Sequence, residues 1–549
     1  MEIFVMVAMF MIISFGGVMG ATFLGKKYEV MLPVTHFVLI VVLFLSGLFE
    51  NLELGVWLIS IIVVTGYLFC ILYIIKSKNY NNVLKNIFSD CFWVFLFAYF
   101  VIYACNIGKE VHYIDEFVCW ATRVKDMCRL DTLYTSELAH VDAKAYPPST
   151  ALIQYLYLKI QYIIVGEKKF VPWYLFVSYQ VFMISFLIPL LGKVKLKRKN
   201  VQFYILSLLI LIFPMAFYNN AYDTIMVDQL MGVMLGYCFV LLKDRTESAF
   251  ELIVFVLCQI CLVLTKDVAV FFCFMMWVYW ILDIIVGNYL KKGTWAFKSI
   301  IWSSLGGLSV YLMQLCWNRS LVSENLLFNG SNSLVSQHSS QISISTFFKA
   351  VLGIARDYRM TTFLNFCRAF FSCDREKIYI DTGCYFLGNF KIENFNLGVS
   401  YFALLLLYLI FLLILNKEYK IHYVKKRQQF LIYGICLLVV GYVGIVLLTN
   451  MFLFADYEAI ALVAYDRYLE MVFLMIAYIL ISEWIKFKWN HNSNPSIYLL
   501  LILCLMVPGE SLIQFLDRQN VYDSQAVSAS YVKDVDKIEE IIGNNEAKI

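Results

Sequence analysis

Long apolar runs alternate with short polar connections along almost the whole chain, and within each run the apolar residues are continuous instead of alternating with a period of two. A run of about 20 apolar residues, wound as an α-helix, matches the hydrocarbon core of a bilayer. Lipid offers no partners to backbone N–H and C=O groups, so only helices or closed barrels cross it, and the lack of dyad alternation selects helices. The pattern predicts spans near 2–22, 31–49, 55–75, 86–106, 170–192, 201–218, 225–242, 249–264, 268–287, 297–315, 397–416, 429–452, 468–486 and 496–515. The fold class read from it is an all-α polytopic membrane protein, a bundle of about fourteen transmembrane helices within a range of about eleven to fourteen.

Basic residues fall in alternate connections: Lys26 and Lys27; Lys76, Lys78 and Lys85; Lys193, Lys195, Lys197, Arg198 and Lys199; Lys243 and Arg245; Lys291, Lys292 and Lys298; Lys417, Lys420, Lys425, Lys426 and Arg427; Lys486 and Lys488. The positive-inside rule makes these connections cytoplasmic. Counting the run from Thr150 to Val165 as a span would put the basic loop 193–199 outside, so that run is read as a juxtamembrane or re-entrant helix. The first run has no basic segment before it and ends at Gly25-Lys26-Lys27, as expected of a retained helix with its N-terminus outside. The resulting organisation is N-terminal helices over 1–106, a first exterior loop with juxtamembrane helices over 107–169, central helices over 170–315, an exterior insertion over 316–396, C-terminal helices over 397–515 and a short exterior tail over 516–549. Acidic, basic and aromatic residues therefore gather on one face, as a site working at the membrane surface requires.

Composition agrees with a lipid solvent. The chain is 61% hydrophobic, 17% aromatic and 15% charged, with a mean hydropathy of +0.73. A net charge of +4, spread among the connections, reads as a topology signal and excludes nucleic acid as the expected partner. Most of the fifteen cysteines lie in apolar runs, where a thiol behaves as a small apolar side chain. There is no P-loop or GxGxxG motif, and the cytoplasmic loops are too short for a nucleotide-dependent domain.

The residues able to carry chemistry lie in the loops. The first exterior loop holds Lys109, Glu110, His112, Asp115 and Glu116, followed by Trp120, Arg123 and Lys125. Adjacent carboxylates at a membrane edge are partly desolvated, which raises one carboxyl towards the range of a general base. The same pair also complements the N-terminal dipole of a following helix, and the residues alone leave both readings open. Tyr146-Pro147-Pro148-Ser149 fixes an extended entry into a helix starting at Pro148 or Ser149.

Asp115-Glu116 with Trp120, a short charged helix, His140, Tyr146-Pro147-Pro148 and Gln154-Tyr155 together resemble the first exterior loop of GT-C superfamily glycosyltransferases. Tyr222-Asp223-Thr224-Ile225-Met226-Val227-Asp228 is similar to the second acidic loop of bacterial members, and Thr265-Lys266-Asp267 and Glu458 with Tyr465-Asp466-Arg467-Tyr468 resemble their late motifs. The resemblance implies transfer of a sugar from a polyprenyl-phosphate carrier, undecaprenyl-linked in a bacterium, to a cell-surface glycan or glycolipid on the outer face of the cytoplasmic membrane. It implies Asp115 as general base, with Glu116 second. Arg467, Lys266 and Arg319 are the cations expected near the lipid phosphate, since a guanidinium fork suits phosphate oxygens. For Arg319 and Lys266 the competing reading is snorkelling or headgroup contact. Asp223 and Asp228 would hold sugar hydroxyls or order Asp115; Asp223 reads equally as a turn residue, whereas Asp228 sits inside an apolar run, where an unpaired carboxylate is costly. Tyr146, His140, Glu458, Tyr468 and Trp120 complete the expected substrate-binding set. His112 and His140 read as interfacial residues and not as metal ligands, and neither a metal nor a cofactor is expected, the lipid-linked sugar being the substrate.

Within the insertion, the stretch from Phe347 to Tyr358 predicts amphipathic helices on the membrane, and Asn329 to Ser345 predicts a mobile loop able to act as a lid. The competing functions are a polysaccharide polymerase or ligase acting on lipid-diphosphate glycans, which favours several outer arginines over an acidic pair, and a lipid-linked oligosaccharide flippase or other transporter. A transporter should line a midplane pathway with polar residues and broken helices.

Overall fold

The computed structural model describes the chain except for residues 78–79, 142–143, 195–200, 219, 245–247, 291–296, 324–342, 356, 372–399, 418–421, 489–508 and 543–549. Among the described residues every regular element is a helix. The N-terminal helices are α1 (Glu2–Phe23), α2 (Tyr28–Leu48), α3 (Leu52–Lys76), α4 (Tyr80–Ile87) and α5 (Asp90–Asn106). The first long loop carries α6 (Ala121–Leu130) and α7 (Ser149–Val165). Next come α8 (Trp173–Leu191), α9 (Val201–Ile212), α10 (Val227–Asp244), α11 (Ala249–Val263), α12 (Ala269–Leu290) and α13 (Phe297–Ser323). The remainder is α14 (Ile344–Val351), α15 (Tyr358–Phe371), α16 (Tyr401–Lys417), α17 (His422–Phe452), α18 (Asp456–Ala461), α19 (Tyr465–Lys488), α20 (Gly509–Leu516) and α21 (Gln519–Ile542).

Among the described residues eight helices are long and apolar enough to cross a membrane, and four shorter apolar helices accompany them. The chain is a helical membrane protein. The expected run at 496–515 lies outside the described residues as far as 508. Two differences from the sequence expectation bear on the loop end of the bundle. Pro214 cuts the run 201–218 into α9 and a 3-10 turn, Phe213–Ala216, because it lacks an N–H and crowds the preceding turn. The helix expected to end at 315 continues to Ser323, so the start of the exterior insertion belongs to α13. Capping follows local chemistry: the Asn51 side chain accepts from Leu54 N–H at 2.9 Å, and Ser89 Oγ from Phe92 N–H at 3.3 Å.

The core is built on α8, α10 and α19. The apolar window of α8 is 94% buried and that of α19 83%, against 22% for the peripheral α3 and α13. The three run parallel. At one end Tyr179 Oη donates to the Met226 carbonyl and Arg467 pairs with Asp228. At the other, Lys193 Nζ lies 2.9 Å from Asp244 and donates to Ser482 Oγ at 2.8 Å, while Lys243 pairs with Glu483. Sixteen residues separate Asp228 from Asp244, about 24 Å of helix, close to the thickness of a hydrocarbon core. Lys26, 4.7 Å from the Phe250 ring at the start of α11, joins the same basic end. Lys78, Lys195, Lys197, Arg198, Lys199, Arg245, Lys291, Lys292 and Lys420 lie outside the described residues. Cys258 and Cys261 have the spacing of a CxxC pair, yet both are buried in α11 among apolar side chains.

The run 150–165 is one 17-residue helix, α7, packed on α1, α2, α6 and α8 and buried on nearly all sides. Ser149 N–H donates to the Leu264 carbonyl after α11, and Lys159 pairs with Glu53 at the start of α3 and with Asp131 after α6. Both groups of contacts belong to the end that carries the acidic loops, so α7 stays at that end. In the insertion, α14 lays Ala350 against Met451 and Phe452 and leaves Phe348 exposed, an amphipathic placement. Of the expected lid, residues up to 342 lie outside the described residues.

Gly232 and Gly236 face α19. A Cβ at Gly236 would lie 2.5 Å from Tyr478 Cβ, whereas one at Gly444 would meet nothing within 4 Å. Gly236→Leu is therefore expected to destabilise the detergent-solubilised protein by about 1–3 kcal/mol or more. Gly444→Ala should leave the thermal midpoint unchanged or raised. Equal midpoints for both variants would contradict this packing.

Candidate functional site

The chain leaves the Pro214 turn into the second acidic loop, which meets the first at one bundle end. Asp115 precedes a short π-helical stretch, Glu116–Trp120, that runs into α6, and such stretches frequently occur at functional sites. The two adjacent carboxylates have different environments. Glu116 is fully buried, its Oε1 accepting from Thr224 Oγ1 at 2.7 Å and from Ile225 N–H at 3.0 Å, which ties the two loops together. Burial pushes its carboxyl above the usual range, and these hydrogen bonds only partly offset the effect. Asp115 is half-exposed and reaches Arg467 Nη1 at 3.3 Å. Of the pair, only Asp115 is open to solvent.

Asp223 is the second anchor. Its carboxylate accepts from Lys109 Nζ at 2.5 Å and Tyr113 Oη at 3.0 Å, and lies 3.2 Å from His112 Nε2. Burial alone would raise its pKa, but Lys109 and His112 overcome that and hold it well below the usual carboxylate range. Lys109 is itself buried, 4.4 Å from the Phe176 ring centroid. His112, expected at the interface, is instead part of this network.

Deeper in, Arg467 at the head of α19 bridges Asp115 to Asp228, with its Nε 3.2 Å from Asp228 Oδ2. Lys266 pairs with the other Asp228 oxygen. The Tyr468 ring lies 4.5 Å from Lys266 and 5.5 Å from Arg467. Tyr218 Oη donates to the Arg467 carbonyl at 2.7 Å, fixing the first turn of α19 against the loop after α9. The result is an ionic ladder, Asp115, Arg467, Asp228 and Lys266, in which anions and cations alternate. Asp228 occupies the first turn of α10, where the helix dipole also favours a carboxylate.

Beside the ladder, Trp120 and Tyr146 stack around a buried guanidinium that sequence reasoning did not assign. Arg123 lies 4.6 Å from each of these rings and 5.4 Å from Tyr134. Each cation–π contact offsets about 0.5–2 kcal/mol, against several kcal/mol for removing a charge from water.

Asp115, Glu116, Asp223, Asp228, Lys266, Arg467, Tyr468, Trp120 and Tyr146 thus share one bundle end. Three expected residues do not join them. His140 has an exposed ring and gives its backbone N–H to Asp126 at 2.7 Å. Glu458 accepts from Ala455 N–H at 3.2 Å and caps α18. Arg319 is exposed on α13. The tail makes an unforeseen contribution. Ser524 Oγ accepts from Glu110 N–H at 3.1 Å, Gln525 donates to the Gly108 carbonyl at 2.7 Å, and Tyr531 stacks edge-on against Phe117 at 5.1 Å. Helix α21 therefore holds both flanks of the acidic loop. Gly108 sits at the turn itself with φ +81°, a conformation that favours glycine.

No known family model matches the chain, and no curated protein or solved structure is similar enough to count as a match.

Because the folded state binds the Glu116 proton more tightly than the unfolded chain does, wild type is expected to lose stability as the pH rises from the ordinary glutamate range through the raised value. Glu116→Gln keeps an acceptor for Thr224 and Ile225 but lacks that loss. Its thermal midpoint should gain on wild type as the pH is raised above the ordinary glutamate range. A midpoint difference that is flat with pH would contradict the assignment.

Proposed function

We propose that the chain is a membrane glycosyltransferase that moves a sugar from a polyprenyl-phosphate carrier to a glycan or glycolipid acceptor at the outer face of the membrane. The observation that carries this reading is a half-exposed carboxylate, Asp115, held by a guanidinium that a buried Asp228 fixes from behind. A carboxylate so placed accepts the proton of an acceptor hydroxyl while the hydroxyl oxygen bonds to the anomeric carbon. The bond from that carbon to the phosphate oxygen breaks, and its electron pair leaves with the polyprenyl phosphate. In this reading Arg467 and Lys266, each already paired with a carboxylate, help to steady that charge. The N-termini of α8, α10 and α19 point to the same end and add partial positive charge. The basic residues at the opposite end orient the site outward by the positive-inside rule.

Glu116 and Asp223 serve as positioning residues, since every strong contact they make is to the protein's own loops. The purified protein in nanodiscs, given a set of polyprenyl-phosphate sugars, should release polyprenyl phosphate. Asp115→Asn should slow that release by about 10²–10⁴-fold, while Arg319→Ala leaves it unchanged. Full turnover in Asp115→Asn contradicts the proposed base. Flipping of a labelled lipid-linked glycan in liposomes, without turnover of any donor, would replace the enzyme with a transporter.

A further inference from the structure

Arg123 is 1% exposed, and its Nε and Nη2 have no hydrogen-bond partner among the described residues. The buried Lys109 and Lys159 and the largely covered Lys266 at this end are paired, with Asp223, Asp131 and Asp228 respectively. The ladder is self-neutralised, since the charges of Arg467 and Lys266 are matched by Asp115 and Asp228. Arg123 is thus the buried cation at this end whose Nε and Nη2 meet no carboxylate among the described residues. Its aromatic neighbours interact with the cation as π-systems and leave Nε and Nη2 without an acceptor. An in-plane N–H edge is what phosphate oxygens engage bidentately. Tyr134 is fully buried, whereas Tyr146 is 38% exposed and forms the outer wall of the cage. The Tyr146 side chain also lies in the field of Lys266 and Arg467, so an anion admitted beside it would adjoin the ladder.

We propose that Arg123 is the principal phosphate-binding group of this site, taking a phosphate monoester or diester on its unpartnered N–H edge, admitted past the partly exposed Tyr146. The lipid source of that phosphate rests on the transferase reading; the anion site itself does not.

Calorimetric titration of the detergent-purified full chain with farnesyl phosphate, farnesol and inorganic phosphate tests the proposal. Wild type should bind farnesyl phosphate and not farnesol. Arg123→Met should weaken that binding by roughly 10- to 100-fold, and Arg123→Lys, which keeps the charge without the fork, should fall between. The ligand-free thermal midpoint of Arg123→Met should equal or exceed that of wild type, because a buried charge without a partner has been removed. Inorganic phosphate binding as tightly as farnesyl phosphate would identify free phosphate as the ligand; a clear preference for farnesyl phosphate would identify a lipid headgroup. Unchanged affinity in Arg123→Met, a lowered midpoint with unchanged affinity, or no phosphate binding by wild type each overturns the assignment. Sugar transfer that is independent of Arg123 would refute this inference and leave the transferase standing. Arg123-dependent binding without transfer from any donor would do the reverse.

Discussion

The close approach of α10 to α19 is the constraint on which the rest of the site depends. In lipid there is little hydrophobic drive between helices, so association relies on backbones meeting across small residues. Gly232 and Gly236 supply that surface: Cβ atoms there would lie 2.8 Å from the Met471 carbonyl oxygen and 2.5 Å from Tyr478 Cβ. One turn nearer the loop end, the same parallel contact sets Asp228 beside Arg467. Tyr478 Oη donates to the Phe186 carbonyl at 2.6 Å and brings α8 into the same register. If the two backbones moved apart, the carboxylate in α10 would lose the guanidinium that makes its burial tolerable.

From that contact the charges divide between the two ends of the bundle. At the basic end, Lys193, Lys243, Asp244 and Glu483 close the helices against each other. At the other end, the pairs run outward from buried Asp228, with Lys266 beside it, to Arg467 and half-exposed Asp115, so the ladder leads from the protein interior to the surface. Asp223 and Glu116 fasten the loops on which Asp115 rides, and α21 fastens the other flank. Asp115 is the most open member of the ladder, its side chain 50% exposed against 31% for Arg467.

Much of this was legible in the residues, for a physical reason. Ionisable side chains at the ends of apolar runs are costly unless paired, so Asp228, Lys266 and Arg467 stand out against their surroundings without any knowledge of the fold. Pairing itself was not legible, because it depends on contacts between segments more than 200 residues apart, such as Arg467 with Asp228. Asp115 and Glu116 are chemically alike and adjacent, and only the course of the π-helical stretch buries one and exposes the other. Arg123 looked like any basic residue of a short amphipathic helix until three rings closed on it. Glu458 and His140 matched their motifs by spacing, yet local hydrogen bonds claim the Glu458 side chain and the His140 backbone. The Gly232 and Gly236 spacing is visible in the sequence, but its meaning required the helix that packs there.

The central claim is that the ionic ladder and the basic cluster face opposite sides of one membrane, with the ladder outward. The most direct measurement is labelling of single cysteines introduced at Asp115 and at Lys193 with a membrane-impermeant thiol reagent in intact cells, against a background without other reactive thiols. The account predicts labelling at position 115 from outside, and labelling at position 193 only after the membrane is permeabilised. Labelling at 193 and protection at 115 would contradict it.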